Sequence, residues 1–468
     1  MRPRAVRLHA SKGRAVAKRN RSEYLTRDEA RADARRELLA RAGAKSGGGG
    51  RSGGSSGKSS GRKPSAGRSS GGKTRSGSSG RPGVRSASKP TVRSTSKSGA
   101  RSGRGGGRGG AAGRGGSSGR GRSGSSAAVL AKGGARRHRV LGVFAAACAA
   151  LSAIAVAARA LPSAWQALPF VPILVSATPW FALLAVIALM GAIASRRFLV
   201  ALVAVAAFAV NVWWQYPFFH PTTALTPAAD AAVGQAHAVT GDAYARVMTC
   251  NVYKGHADAR AIVDTVRDER VEVLALQETT DAFVSALEEA GIGDYLPYAK
   301  VSSSDGVYGN GLWSASPLIS PSDDDVNSSA SFMPGGTVAF AGGVKVRFVS
   351  VHTTAPVPGY WGRWRRSLDE LAAMRAHTDT RYVFMGDFNA TYDHAPFRGF
   401  LGDRFRDAAR MGGHGFTFTW PADRGLLPPV FAGIDHVVVD RDVAAGRTET
   451  VRIPGTDHRA LLATLGVA

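Results

Sequence analysis

Between Leu141 and Phe219 the chain carries no acidic residue, and three apolar runs lie in or beside that stretch, at about 140–158, 170–194 and 198–214. The first, Val140 to Ala158, is 19 residues without a charge, long enough to cross a hydrocarbon core of about 30 Å. Pro172 and Pro179 stand near the start of the second run, and the third is the shortest, closed by Trp213, Trp214 and Tyr216 as an interfacial belt. The expectation is three transmembrane helices within residues 138–219. The distance of the first run from Met1 argues against a cleaved signal peptide.

Charge divides the chain at the same place. Residues 1–140 hold 36 Lys and Arg against 5 Asp and Glu, and the other 328 hold 25 against 29, so the net charge of +27 belongs to the N-terminal part. From Ser46 to about Lys132 the chain is Gly, Ser and Arg with almost nothing apolar to bury. Residues 1–137 therefore read as a disordered basic tail, with one short charged helix over 22–45. The tail suits a solvated tether, or an electrostatic arm for nucleic acid or anionic lipid. Residues 46–132 have no interleaved aromatic residues for base stacking. Arg136–Arg139 precede the first run and Arg196 and Arg197 lie between the second and third, whereas the first loop has only Arg159. The positive-inside rule then places the tail in the cytoplasm and everything after Phe219 outside, in a multi-pass protein of the cell membrane. Cys148 and Cys250 have no obvious partners, so neither a disulfide framework nor a cysteine metal site is implied.

Residues 220–245 read as a linker and 246–468 as one mixed α/β domain, in which short β-like runs interleave with amphipathic helical stretches without a strict parallel repeat. Polar residues recur where the apolar runs end: Asn251, Gln277-Glu278, His352, Asp387 with Asn389, Asp435-His436 and Asp457-His458. On an extended backbone Asp387 and Asn389 share a face; Gly386-Asp-x-Asn reads equally as a tight turn. Singly, Glu278 serves as well for a helix N-cap acid, and Asn251 for a turn residue. Jointly, strand ends gather at a sheet edge. One glutamate, three aspartates, two asparagines and, His436 aside, two histidines there suit Mg²⁺ or Mn²⁺ held by oxygen, with a water nucleophile attacking phosphorus and a carboxylate-held histidine as its base. His394, His414 and His436 read as surface or supporting groups, and Asp323–Asp325 as a solvated acidic loop. Tyr360–Arg366 reads as a helix start or as a contact for phosphate or a membrane surface.

From about Arg246 to Leu465 this ordered set, together with the Gly309–Pro317 stretch, resembles the endonuclease/exonuclease/phosphatase superfamily, in a membrane-anchored bacterial form. The resemblance implies a four-layer α/β sandwich with the site at one edge of two packed sheets. It implies Glu278 as metal ligand, with Asn251 and Asp457 near the ion, and His458 as general base oriented by Asp435. Asp387 and Asn389 position water and phosphate, His352 contacts a phosphate oxygen, and Asn310 joins the substrate contacts. Departures are Ala315, where relatives are often basic, and Thr353 after His352, where Leu is common. The implied activity is metal-dependent hydrolysis of a phosphodiester or phosphomonoester in nucleic acid, phospholipid or a small molecule. The alternative is a non-catalytic binding protein on the same fold, with the basic tail as its working part.

Overall fold

The computed structural model describes residues 124–223, 225–235, 238–423 and 429–467, with 124–135 as backbone only. The expected helix over 22–45 and the tail up to residue 123 lie outside the described residues.

The strands are β1 (Tyr244–Asn251), β2 (Val273–Gln277), β3 (Tyr298–Ser302), β4 (Asn310–Ser314), β5 (Ile319–Ser322), β6 (Gly335–Ala339), β7 (Lys345–His352), β8 (Tyr382–Asp387), β9 (Phe405–Asp407), β10 (Asp435–Asp440), β11 (Val443–Arg452) and β12 (Arg459–Val467). They form two six-stranded mixed sheets, in the orders β11-β12-β1-β2-β4-β3 and β5-β6-β7-β8-β10-β9. The two-residue period of the strands builds the layers. Val247 of β1 and Val383 and Met385 of β8 meet in the core between the sheets. Met248 and Cys250 face helices Ala259–Glu269 and Asp281–Glu289, while Tyr382 and Phe384 face helices Trp361–Ala372 and Ala395–Leu401. Helix, sheet, sheet and helix are the four layers. Local capping fixes where the outer helices start: the Asp258 side chain accepts from the Ala261 amide and Thr280 from the Phe283 amide.

Glu272, just before β2, is buried, and its Oε1 accepts from the Arg246 amide at 3.4 Å. Burial, only partly offset by that hydrogen bond, pushes its pKa from 4.5 up to about 8. The folded chain keeps a proton there that the unfolded chain releases, so stability is full below about pH 4.5 and falls as pH rises toward about 8. Glu272→Gln should therefore raise the melting temperature at pH 8, by on the order of 3 kcal/mol in stability, and change it little at pH 4. Equal effects at both pH values would contradict this.

The apolar region differs from expectation in three ways. Its first helix, Gly124–Ala160, begins inside the stretch read as disordered tail and runs through Arg136–Arg139. The second run is not one span. It divides into helices Val171–Ser176 and Thr178–Ala194, with Phe170 left-handed at φ 67°. Pro172 and Pro179 each sit in the first turn of their helix, where a missing N–H is tolerated but an incoming helix is interrupted. Only the 17 residues of Thr178–Ala194 remain, about 26 Å of helix, so this helix and not the third is the shortest. Two helices among the described residues are long and apolar enough to cross a membrane, Arg136–Ala160 and Phe198–Phe218. Val143, Ile193, Leu199 and Leu202 expose large apolar side chains on the three helices.

The helices dock on the α/β domain through buried polar contacts. Asp393 accepts from Arg159 Nε at 2.5 Å and from Gln215 Nε2 at 3.1 Å. His394 Nε2 lies 2.9 Å from the Pro172 carbonyl, and the Ala395 amide donates to Gln166 Oε1 at 2.7 Å. Trp180 Nε1 donates to the Phe431 carbonyl at 2.9 Å, and Arg410 Nη1 to that of Trp214 at 3.0 Å. Buried His394, expected at the surface or in support of the site, is part of this joint. Burial lowers its pKa to about 4. Its Nδ1 accepts from the Thr391 amide, which leaves the proton on Nε2 for Pro172. The 220–245 linker also packs: it holds helix Pro227–Val233, and the Thr222 amide donates to the Met411 carbonyl at 3.0 Å.

Candidate active site

Sheet register assembles the site. Parallel β1 and β2 set Asn251 opposite Gln277, so Glu278 follows at the same edge. Antiparallel pairing of β12 with β1 delivers His458, the residue before β12, to that edge. In the second sheet His352 and Asp435 both pair across Asp387. Gly386 makes this close packing possible, because a Cβ there would lie 1.9 Å from the Val351 carbonyl oxygen.

His458 Nδ1 lies 2.8 Å from Asp435 Oδ2, and its Nε2 lies 3.7 Å from Asp387 Oδ2. His352 Nε2 lies 3.7 Å from Asp387 Oδ2 and 3.9 Å from Glu278 Oε1. Asn251 Nδ2 donates to Asp387 Oδ2 at 3.1 Å and to Glu278 Oε1 at 3.3 Å. The Asn251 oxygen is taken by the Tyr253 amide at 2.9 Å, so in this arrangement its nitrogen faces the carboxylates. Asp457 Oδ2 accepts from Trp420 Nε1 at 3.3 Å, and its Oδ1 lies 4.0 Å from His458 Nε2. Single ligand atoms of Asp387, Asp435 and His458 all lie within 4.8 Å of one another.

Asp387 and Asn389 do meet, but not along an extended strand. Asn389 is left-handed at φ 47°, its amide donates to Asp387 Oδ1 at 2.7 Å, and its Nδ2 reaches the Thr353 carbonyl at 2.9 Å. The turn reading is the one realised. Glu278 is left-handed as well, at φ 60°, a conformation that costs a non-glycine residue about 1–3 kcal/mol and gathers at functional sites. Asn310 is set back from the cavity: fully buried in β4, it donates to Ser331 Oγ at 3.1 Å and to the Phe332 carbonyl. The inward face of a central strand puts it under the site instead of on its wall.

These residues, with Asp435 behind His458, form the base of a cavity of about 520 Å³. Lys254, Tyr308, Trp420 and Arg363 also line it. Arg363 belongs to the Tyr360–Arg366 patch; Lys254 lies three residues beyond β1, Tyr308 in the turn before β4, and Trp420 at the end of the alternating Phe416-Thr-Phe-Thr-Trp420 run, which itself marks an extended segment. Trp364 of the same patch is fully buried and packs in the core. His436 supports from below, with Nδ1 2.6 Å from Asp407 Oδ2 and Nε2 2.9 Å from the Ala390 carbonyl. Asp323–Asp325 is not simply solvated: Asp323 pairs with Lys300 at 2.7 Å and Asp325 with Arg347.

Burial raises the pKa of Glu278 and of Asp387. At His458 burial disfavours the imidazolium, but the charges of Asp435 and Asp387 outweigh it and lift the value to about 10. Burial, helped by His458, lowers His352 to about 4, so it is neutral at pH 7. Glu278 Oε2 is buried with no hydrogen-bond partner. A buried carboxylate oxygen without a donor, in a cavity shared with Asp387 and Asp457, is the donor set a hard divalent cation takes.

Residues 248–458 match the Endonuclease/Exonuclease/phosphatase family. They form a domain of that family. Its two sheets carry the deoxyribonuclease I-like fold, and members of the family hydrolyse phosphoesters, typically with a divalent metal. Solved structures similar to the family domain include humanized D. rerio TDP2, 15% identical with a TM-score of 0.41 over 48% of this chain and 100% of that one. A second is D. rerio TDP2 complexed with a single-strand DNA product, at 16%, 0.41, 48% and 100%. A third is the human Nocturnin catalytic domain with bound sulfate, at 14%, 0.37, 49% and 97%. No curated protein matches the chain.

Proposed function

We propose that the protein is a membrane-anchored, Mg²⁺- or Mn²⁺-dependent phosphoester hydrolase whose attacking water gives its proton to His458. The observation that carries this reading is the His458–Asp435 pair, with Nε2 open toward a cavity floored by Glu278, Asp387 and His352. The water oxygen bonds to phosphorus as its proton passes to Nε2, and Asp435 stabilises the imidazolium. The phosphorus–oxygen bond to the leaving group breaks, and that group takes a proton from solvent. Asp387, held by Asn251 and Asn389, orients the water. Neutral His352 donates to a phosphate oxygen without adding charge, while Asn389, its nitrogens turned to Asp387 and the Thr353 carbonyl, fixes the carboxylate beside it. Glu278 and Asp457, with Asn251 beside them, would hold the cation, whose chemistry when bound would be polarisation of a phosphoryl oxygen. Asp457, one of the residues that would hold the cation, is also among the carboxylates that raise His458, so a bound cation would weaken that part of the pull on the imidazole.

Three apolar helices anchor the domain, and Arg136–Arg139 support a cytoplasmic tail with the catalytic domain outside. They precede Arg159 by about 30 Å of helix, and Arg197 packs near Gly142 at the same distant end.

The test is hydrolysis of bis-p-nitrophenyl phosphate by the full chain in dodecyl maltoside. Mg²⁺ should support turnover and a chelator abolish it. Glu278→Gln should raise the Mg²⁺ needed for half-maximal rate by about tenfold or more. Turnover indifferent to chelation would remove the metal, and absence of turnover would leave the binding-protein alternative.

A further inference from the structure

We infer that the phosphoester this site accepts carries a lipid chain, and that the segment between the first two apolar helices supplies part of the wall on which the chain lies. The inference rests on the phosphoesterase reading above and deepens it.

Ile173 and Ser176, far outside the 248–458 family domain, line the same cavity as Glu278, His352, Asp387 and His458. The cavity thus has two chemically distinct parts. Its floor is carboxylate, imidazole and amide. Its less buried lining is mainly apolar: Ile173 from the helical region is joined by half-buried Pro356, Val357 and Phe431 and by Tyr360 from the domain, with Arg363 among them. A polynucleotide or a sugar phosphate brings polar groups on either side of its phosphorus and leaves such a wall unmatched, whereas an alkyl chain matches it.

The wall also leads somewhere. Beside Ile173, itself 48% exposed, the segment exposes Trp165 (60%), Leu168 (49%) and Phe170 (65%), continuous with the exposed apolar faces of the helices. A tryptophan at the end of an apolar helix, as Trp165 is, sits where headgroups meet acyl chains. The cavity mouth is therefore at that level, with Lys254 inside to attract an anionic phosphate. The wall is fixed and not a free loop. Pro172 is held by His394, Gln166 by the Ala395 amide, and Phe170 packs on Trp361 with ring centroids 5.8 Å apart.

A matched pair of esters tests this: hexadecyl p-nitrophenyl phosphate and methyl p-nitrophenyl phosphate, offered with Mg²⁺ to the full chain in phosphate-free dodecyl maltoside micelles. Both lose p-nitrophenolate by the same bond cleavage, so the ratio of their kcat/KM values reads the chain alone. The expected ratio is about 100 or more in favour of hexadecyl. It should fall about tenfold or more in Ile173→Asp and in Val357→Asp, and persist in Ile173→Leu. A ratio near one overturns the inference. So does a high ratio that is the same in all variants, since accumulation in micelles then explains it. Methyl ester cleaved with hexadecyl ester untouched removes the lipid inference and leaves the phosphoesterase standing; neither ester cleaved removes both.

Discussion

Replacing His458 by Asn should lower Mg²⁺-dependent turnover of bis-p-nitrophenyl phosphate by about 10³- to 10⁴-fold with little change in KM. The water then has no base, while the phosphate contact through His352 persists. Asp435→Asn acts through His458, because an amide cannot hold the imidazolium that forms; a loss of about 10²-fold or more is expected. The two residues work as a unit 2.8 Å apart, so the double variant should be scarcely worse than His458→Asn alone. Multiplying losses, or a single-variant rate within tenfold of the parent, would refute the assignment. Circular dichroism and melting temperature check that each variant is folded.

Asp393→Ala should be the most destabilising single change at the joint between helices and domain, by about 3–5 kcal/mol. It strips the carboxylate from Arg159, which is only 7% exposed, and from Gln215. The remaining guanidinium is buried and uncompensated, and Arg398 and Arg410 stand close enough to add like charge. Thermal unfolding in micelles reads the loss. Asp393→Leu combined with Arg159→Leu should recover most of it, since an apolar pair leaves no charge stranded. An unchanged melting temperature in Asp393→Ala would show that the joint carries little of the stability.

How far the sequence announces this structure depends on the range of the interaction concerned. Asn251, His352, Asp387 and His458 were legible because each ends or begins an apolar strand, and register alone then carries them to one edge. The strands that stayed hidden are short or polar. β5 is Ile-Ser-Pro-Ser, β6 starts with two glycines, and β11 mixes Arg, Thr and Glu into its run. The turn at Asn389 was open to two readings because a Gly-Asp-x-Asn segment is compatible with both backbones. Asn310 looked like a substrate contact, yet whether a strand residue reaches the cavity or stops beneath it depends on sheet stacking, which no local pattern encodes. Asp393 and His394 were least legible of all. Their partners Arg159 and Pro172 lie more than 200 residues upstream, and nothing around Thr391–Ala395 distinguishes a buried joint from a surface turn.

β12 stands inside its sheet, between β11 and β1, although it follows both of them in the chain. Until residues 459–467 leave the ribosome, β1 has one open side and the imidazole just ahead of β12 has no fixed place. A domain lacking residues 459–467 should therefore lose the placement of His458, and with it the proposed hydrolysis.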